Sequence, residues 1–398
     1  MIGFKHDVCV IGGCGHVGLP LSIVLAHAGK KVCIQDINTE AIALIQSGMM
    51  PFLEEGAGNL LAEVLASGNL SLSDDPGVIR ESEAIILIIG TPVDEFLNPR
   101  VSDIKKAMDD YYKWLVDGQL LVLRSTLYPG TSEMINGWLR DKGLQVDVTF
   151  CPERIAEGKA VQELRELPQI ISAFTESGYR RARELFSKLS TDMIDLEPKE
   201  AEMAKLFTNS WRYLKFSIAN QFYMIANDYG VDYYKVHHAM TRNYPRAIDI
   251  PKPGFAAGPC LFKDTMQLAA FYGNNFYLGH AAMLVNEGMP NYIVRSLKRT
   301  HDISGKTIGI LGMAFKANSD DKRSSLSYKL RKILETECRE VLCTDVYIKD
   351  PSFVSIDEVI ERADLLILGA AHREYASIDT HGKEIVDIWN FYDRGAKI

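Results

Sequence analysis

Val8-Cys9-Val10-Ile11-Gly12-Gly13-Cys14-Gly15-His16-Val17-Gly18 carries an apolar run straight into a glycine-rich turn, and residues 19–28 then read as a helix closed by Gly29. An uninterrupted apolar strand is what a parallel sheet covered on both faces requires. Gly13, Gly15 and Gly18 form Gly-x-Gly-x-x-Gly. Between a strand and a helix this pattern turns tightly and lets the backbone approach a pyrophosphate, whose charge then sits at the helix N-terminus. Asp36 ends the next apolar run 18 residues after Gly18, near the spacing at which a carboxylate accepts ribose hydroxyls. The same carboxylate repels a 2′-phosphate, which favours NAD over NADP. The plainer alternative is a turn of structural glycines with an ordinary helix-capping Asp. Gly12 is one glycine more than the pattern needs, so the register of the turn stays open by a residue.

Outward from this turn, β-branched runs at 31–36, 84–90, 119–126, 146–151, 169–173 and 193–196 alternate with helical stretches. Such alternation implies a parallel, doubly wound α/β sheet. Beyond Pro198 the texture changes, because residues 199–229 contain neither Gly nor Pro. Within them Met203, Phe207, Trp211, Leu214, Ile218, Phe222 and Ile225 recur every three or four positions, a helical stripe. A helix of about 30 residues is about 45 Å long, more than one small domain needs. It is expected to join two domains and to carry a subunit interface. From Gly305 the alternation returns, with strands expected at 307–311, 340–345, 365–369 and 384–387. The expected fold is therefore two Rossmann-like doubly wound α/β domains, 1–197 and 301–398, joined by a long central helix and a helical middle domain, 198–300.

Composition narrows the classes of function. At 47% apolar and 24% charged, the 398 residues match a globular protein with large cores. Lys plus Arg number 44 against 52 Asp plus Glu, a formal charge of −8, which argues against a nucleic-acid partner while allowing a local basic pocket. Apolar runs fall far short of the roughly 20 residues of a membrane helix, and the N-terminus enters a strand pattern with no signal peptide. A cytosolic protein with no membrane partner is expected. Seven cysteines without a Cys-x-x-Cys pair suggest neither a disulfide framework nor a metal site.

Chemistry concentrates elsewhere. In Pro253-Gly254-Phe255-Ala256-Ala257-Gly258-Pro259-Cys260-Leu261-Phe262-Lys263-Asp264-Thr265 a cysteine follows a Gly/Pro turn and precedes a helical stretch. A thiol at a helix N-terminus is more readily ionised, and Asp264, four residues on, would share its helix face. Lys205 and Asn209 have the same spacing on the long helix, and Cys151-Pro152-Glu153-Arg154-Ile155-Ala156-Glu157-Gly158 sets two carboxylates four apart behind a strand. Taken singly, each has a bland reading: a structural Cys, a solvated Lys, surface glutamates.

Seven ordered stretches together make the chain resemble the nucleotide-sugar 6-dehydrogenase family over nearly its whole length. They are the Gly13 to Gly18 turn; Gly90-Thr91-Pro92; Ser125-Thr126 with Pro129-Gly130-Thr131; Cys151 to Gly158; Glu202-Met203-Ala204-Lys205-Leu206 with Asn209; Gly258-Pro259-Cys260 with Lys263-Asp264; and Leu311-Gly312-Met313-Ala314-Phe315-Lys316 with Asp320-Asp321-Lys322-Arg323. The resemblance implies oxidation of a sugar C6 alcohol to the carboxylate in two NAD-dependent steps. It gives Lys205 and Asp264 the alcohol proton, makes Cys260 the nucleophile of a thiohemiacetal and then a thioester, and makes Glu153 the base of its hydrolysis. Thr126, Glu157 and Asn209 would orient water and substrate oxygens.

Cofactor contacts are implied for Gly13, Gly15, His16, Val17, Gly18, Asp36, Thr91, Pro92, Thr126 and Arg323. UDP-sugar contacts are implied for Glu153, Lys205, Asn209, Phe255, Gly258, Phe315 and Lys316. Arg246 would reach the substrate from a neighbouring subunit, with the long helix as the core of a homodimer. Two departures stand out: a common Gly-Gly is Ala257-Gly258 here, and an arginine often found in the strand after the Cys-Pro-Glu motif is Gln169. Arg242-Asn243-Tyr244-Pro245-Arg246 and Cys151-Pro152-Glu153-Arg154 resemble the UDP-N-acetylhexosamine branch, and Lys263-Asp264-Thr265 the UDP-glucose branch. The N-acetylhexosamine is favoured, with UDP-glucose as the alternative. A two-electron β-hydroxyacid dehydrogenase would have no use for Cys260 or the second nucleotide-binding half, and a silent nucleotide-sugar sensor would not need the catalytic set.

Overall fold

Apolar runs between turns pair in parallel, as their continuous burial demands. The computed structural model describes residues 3–395 and 398. Its first sheet contains β1 (His6–Ile11), β2 (Val32–Gln35), β3 (Leu70–Ser73), β4 (Ser82–Leu87), β5 (Leu120–Leu123) and β6 (Asp147–Phe150), in the order β3-β2-β1-β4-β5-β6. β1 pairs on one side with β2 (Val8 beside Val32) and on the other with β4 (Val8 beside Ala84). The chain thus winds outward both ways from β1, and the crevice beyond the carboxyl ends of β1 and β4 is where such sheets bind ligands. Alternate residues of β1 enter opposite cores. Val8 and Val10 pack with Leu21, Leu25 and Ile34, whereas Cys9 and Ile11 pack with Ile85, Ile104 and Ile135.

Two features differ from the expectation. β3 is a strand the apolar pattern misses, because Leu70-Ser71-Leu72-Ser73 lies at the sheet edge, where half its side chains can be polar. β7 (Gln169–Ile171) and β8 (Met193–Asp195) do not extend the main sheet but form their own two-stranded one. Ile194 at 40% exposed shows that β8 is not covered on both faces.

The central helix spans Pro198–Asp228, 31 residues. Contacts divide the chain within it, into a unit ending at Thr208 and a unit beginning at Asn209. Its first turns are tied to the first unit by Glu202, which is fully buried. That carboxylate accepts the Gly130 N–H at 2.6 Å and the Ser132 N–H at 2.8 Å. These are orphan donors at the start of the Thr131–Asp141 helix, which has no side-chain cap of its own.

The second unit holds a parallel sheet of β9 (Thr307–Leu311), β10 (Glu340–Thr344), β11 (Leu365–Leu368) and β12 (Ile385–Val386), in the order β10-β9-β11-β12. The Tyr277–Thr300 helix shares its core, with Met289, Ile293 and Leu297 packed among Ile308, Ile310 and Leu330. Among the described residues no helix is long and apolar enough to cross a membrane.

Replacing Glu202 with Ala leaves two buried N–H groups without an acceptor. The expected cost is about 2–4 kcal/mol of stability, read by urea unfolding, with Glu202→Gln recovering part of it.

Candidate active site

The end of β1 explains the extra glycine. Gly12 has φ +72°, and a Cβ on it would lie 1.9 Å from the Ile88 carbonyl oxygen at the exit of β4. Gly12 therefore belongs to the close approach of two strands, and the phosphate pattern starts at Gly13. A Cβ on Gly18 would fall 2.6 Å from the Gly13 Cα, which presses the start of the Gly18–His27 helix onto the turn. At Gly15 nothing lies within 4 Å of that position, so the turn keeps an open flank. Val17 is the N-cap residue, the helix has no side-chain cap and its first turn carries no acidic group. These N–H groups and the accessible turn fit a dinucleotide pyrophosphate. His16 stacks on Phe52 with ring centroids 4.0 Å apart, and its ring lies within 4.8 Å of the Glu157 carboxylate.

Asp36 accepts the Cys14 N–H at 2.9 Å through Oδ2 and the Asn38 N–H at 3.0 Å through Oδ1. Burial, reinforced by Asp36, pushes the Cys14 thiol up to about 12, so it stays a neutral packing group. The second unit repeats this geometry. Gly12 N donates to Gln35 O at 2.9 Å, and Gly312 N to Thr344 O at 2.9 Å. Asp345 caps the repeated turn by accepting the Met313 and Ala314 N–H groups at 2.6 and 3.0 Å. It also takes the Tyr347 and Ile348 N–H groups at 2.7 and 2.9 Å, and His372 Nε2 lies 3.1 Å away. Burial pushes Asp345 up, but the hydrogen bonds from His372 and the backbone outweigh it and hold the carboxyl below the usual range. A carboxylate offers about four acceptor positions. Asp345 has spent all of them beside His372, while Asp36 accepts two backbone N–H groups and retains room for a ribose.

The loops beyond β4, β5 and β6 carry the rest of the first unit's residues. Ser125 Oγ accepts the Ile89 N–H at 2.8 Å and donates to Ile89 O at 2.9 Å, which places the segment bearing buried Thr91 and exposed Pro92. Thr126 is half-buried at the end of β5, and Lys205 is half-buried on the central helix. Glu153 is buried against Arg124, a residue the sequence reading passed over. A charged side chain closing the apolar run Leu120-Leu121-Val122-Leu123 was the available signal.

In the second unit Cys260 is the N-cap of the Leu261–Phe271 helix. Among the described residues none of the seven cysteines is in a disulfide, and Cys260 is the exposed one. Burial pushes the other six thiols up. One turn on, fully buried Asp264 accepts from Asn209 Nδ2 at 2.5 Å and pairs with Lys263 Nζ at 3.1 Å. Asn209 and Asp264, which the sequence places on separate helices, thus meet directly, and Lys263 joins them. The Phe315 ring lies 2.6 Å from where a Gly258 Cβ would be, Lys316 Nζ is 5.4 Å from that ring's centroid, and Phe255 packs edge-on to Trp389. Arg323 is held side-on by Asp321, with Nη2 2.6 Å from Oδ2. Arg246 is exposed beside Tyr244.

The sequence profile of the UDP-glucose/GDP-mannose dehydrogenase family matches in three segments: its NAD binding domain at 6–190, its central domain at 199–288 and its UDP binding domain at 309–394. The chain belongs to this family. It is an NAD-dependent nucleotide-sugar dehydrogenase, with a UDP-sugar as substrate. Among similar family members, a UDP-N-acetyl-D-mannosamine dehydrogenase of Methanocaldococcus jannaschii is 30% identical over 95% of this chain and 88% of its own length. The solved structure of a UDP-D-ManNAc dehydrogenase from Pyrococcus horikoshii superposes with TM-score 0.88 at 30% identity, covering 95% of this chain and 93% of that one. A UDP-N-acetyl-mannosamine dehydrogenase of Staphylococcus aureus gives TM-score 0.84 at 26% identity, covering 96% and 95%.

Asp36→Ala in this dehydrogenase removes an acceptor and the charge facing a 2′-phosphate. NAD affinity is expected to fall roughly tenfold to a hundredfold, the worth of a hydrogen bond to a charged group, and discrimination against NADP to shrink. A wild-type preference for NADP would overturn the assignment of Asp36.

Proposed function

We propose that this dehydrogenase oxidises the C6 alcohol of a UDP-N-acetylhexosamine to the uronate through a covalent intermediate on Cys260. One observation carries the reading: the exposed thiol stands at a helix N-terminus, one turn from a buried Asp264 held by Asn209 and Lys263. The names of the similar proteins support the N-acetylhexosamine, mannosamine first.

The Gly13 to Gly18 turn and Asp36 would hold NAD, which would supply the hydride acceptor for each of the two oxidations. The remaining work is the protein's. Lys205 and Asp264 take the alcohol proton and stabilise the developing alkoxide, with Asn209 fixing Asp264. Once the aldehyde forms, the Cys260 thiolate bonds to its carbon, and the resulting thiohemiacetal is oxidised to a thioester. Water then adds to the acyl carbon, Glu153 takes its proton, the C–S bond breaks and the thiolate leaves. Thr126 and Glu157 orient water and substrate oxygens. Thr91, Pro92, His16, Val17 and Arg323 line the cofactor, and Phe255, Gly258, Phe315 and Lys316 hold the UDP-sugar.

The organisation proposed is a cofactor domain at 1–197, a dimerisation domain at 198–300 and a UDP-sugar domain at 301–398. Trp211, Ile218, Phe222 and Ile225, each at least 40% exposed on the central helix, support a homodimer built on that face. Leu214 contributes less, being half-buried in its own chain beside Tyr213. Arg246 would enter the partner's site. Cysteines without disulfides suit the reducing cytosol.

The deciding experiment follows NADH with UDP-N-acetylmannosamine, UDP-N-acetylgalactosamine, UDP-N-acetylglucosamine and UDP-glucose. Two NADH per sugar, a uronate product and no free aldehyde are expected, with the highest initial rate on an N-acetylhexosamine. One NADH per sugar removes the covalent route, and a preference for UDP-glucose moves the chain to the other branch. Cys260→Ser should lose uronate formation by several orders of magnitude while still binding NAD and UDP-sugar, because a hydroxyl is a far weaker nucleophile than a thiolate. Light scattering at micromolar concentration should give twice the chain mass, and a monomer would contradict the interface.

A further inference from the structure

We propose that Arg124 is the positioning residue for Glu153, a buried guanidinium that leaves a single carboxylate lone pair for the water that hydrolyses the thioester. This rests on the reading that Glu153 takes that water's proton.

Arg124 follows β5 directly, and its side chain is fully buried. Nη1 donates to Cys151 O at 3.0 Å, at the end of β6. Nη2 donates to Glu153 Oε2 and, at 3.1 Å, to Gln169 Oε1, at the start of β7. The plane is backed by Phe186, whose ring centroid is 4.6 Å from Cζ. One guanidinium thus binds three separate segments, which a compact ammonium cannot do with the same fixed fork.

Gln169 completes the surroundings of the arginine. The family resemblance leads one to expect an arginine at 169, but Gln169 occupies it and accepts from Arg124 instead. Gln169 Nε2 is turned to the Leu164 and Leu167 carbonyls at 3.4 and 3.2 Å. In this chain the cation beside Glu153 is therefore Arg124, from the end of β5.

The carboxylate's own partners limit what it can do. Glu153 Oε1 accepts the Arg154 N–H at 2.7 Å and the Ile155 N–H at 3.1 Å, which fills both of its acceptor positions. Oε2 has one position on Arg124. One lone pair remains, on Oε2, with its direction set by the guanidinium. A general base must present its lone pair within hydrogen-bond reach of the proton it takes, so Arg124 fixes where the attacking water must stand. When that water's oxygen bonds to the acyl carbon, its proton passes to Oε2 and the C–S electron pair returns to Cys260.

The test uses the full-length enzyme with NAD and the UDP-sugar that it oxidises fastest. Arg124→Lys keeps the charge but not the fork. The KM for the sugar should stay within about twofold and the first two NADH per subunit should form at the wild-type rate, while steady-state kcat falls up to about a hundredfold, the scale of a misplaced catalytic group. Intact-mass analysis of quenched enzyme should then show the acyl adduct on Cys260. Arg124→Gln combined with Gln169→Arg should restore hydrolysis by returning a guanidinium from the other strand.

In the Glu153→Gln background, Arg124→Lys should slow hydrolysis no further, because it acts through Glu153. Acyl accumulation in Glu153→Gln without any in Arg124→Lys overturns the positioning role, as does a multiplicative loss in the double variant. Failure of Glu153→Gln to accumulate the adduct overturns the base reading itself. If Arg124→Lys does not fold, the exchanged pair decides: a folded exchanged enzyme that still accumulates the adduct overturns the proposal.

Discussion

The first unit is organised by the distance between two strand exits. β1 is covered on both faces, so its only way out is over the end of the sheet, and there the chain passes against the Ile88 carbonyl at the exit of β4. No side chain fits at Gly12, and the chain must turn at once. That turn sends the next helix back across the sheet with no side-chain cap at its start, an arrangement suited to an anion. Packing of an apolar strand thus dictates where a charged cofactor can bind.

The same turn occurs twice, and the comparison shows how one architecture comes to hold one dinucleotide. Both halves end their first strand in a glycine whose N–H bonds the neighbouring strand, and both cap the turn with an aspartate just past the second strand. In the second half His372 and four backbone N–H groups consume the aspartate completely. Burying a charge is tolerated only when it is fully hydrogen-bonded, and a saturated carboxylate has nothing left for a ribose. The first half keeps its aspartate partly unsaturated and half-buried. Function here is measured by the polar capacity that folding leaves unspent.

Much of this was legible in the sequence where the signal is local. The glycine turn, Asp36, the helix beginning at Cys260 and the four-residue spacings on the central helix depend on neighbours in the chain, and each lies where those spacings place it. Arg124, Glu202 and the pairing of Lys263 with Asp264 in a common cluster with Asn209 were less visible, because each takes its meaning partly from a residue distant in sequence. Glu202 reads as an ordinary surface acid on a helix until the Thr131–Asp141 helix start meets it. β3 escaped for the opposite reason, since an edge strand needs only one apolar face and its alternating serines hide it.

The contact between positions 124 and 169 carries the lesson further. A carboxylate that must hold one direction requires a donor at a point in space, not at a position in the chain. β5 and the β6 exit are hydrogen-bonded neighbours, and β7 starts within reach of the same buried spot, so three strand ends converge on one guanidinium. Arg124 meets that demand with one cation and a fork that reaches Cys151, Glu153 and Gln169 together. Gln169 supplies that acceptor and fills its remaining hydrogen-bonding capacity with backbone carbonyls. A motif reading that expects an arginine at 169 registers a departure, whereas the hydrogen bonds of the buried site show a cation beside Glu153 all the same, on Arg124, and a buried carboxylate left without one would be costly.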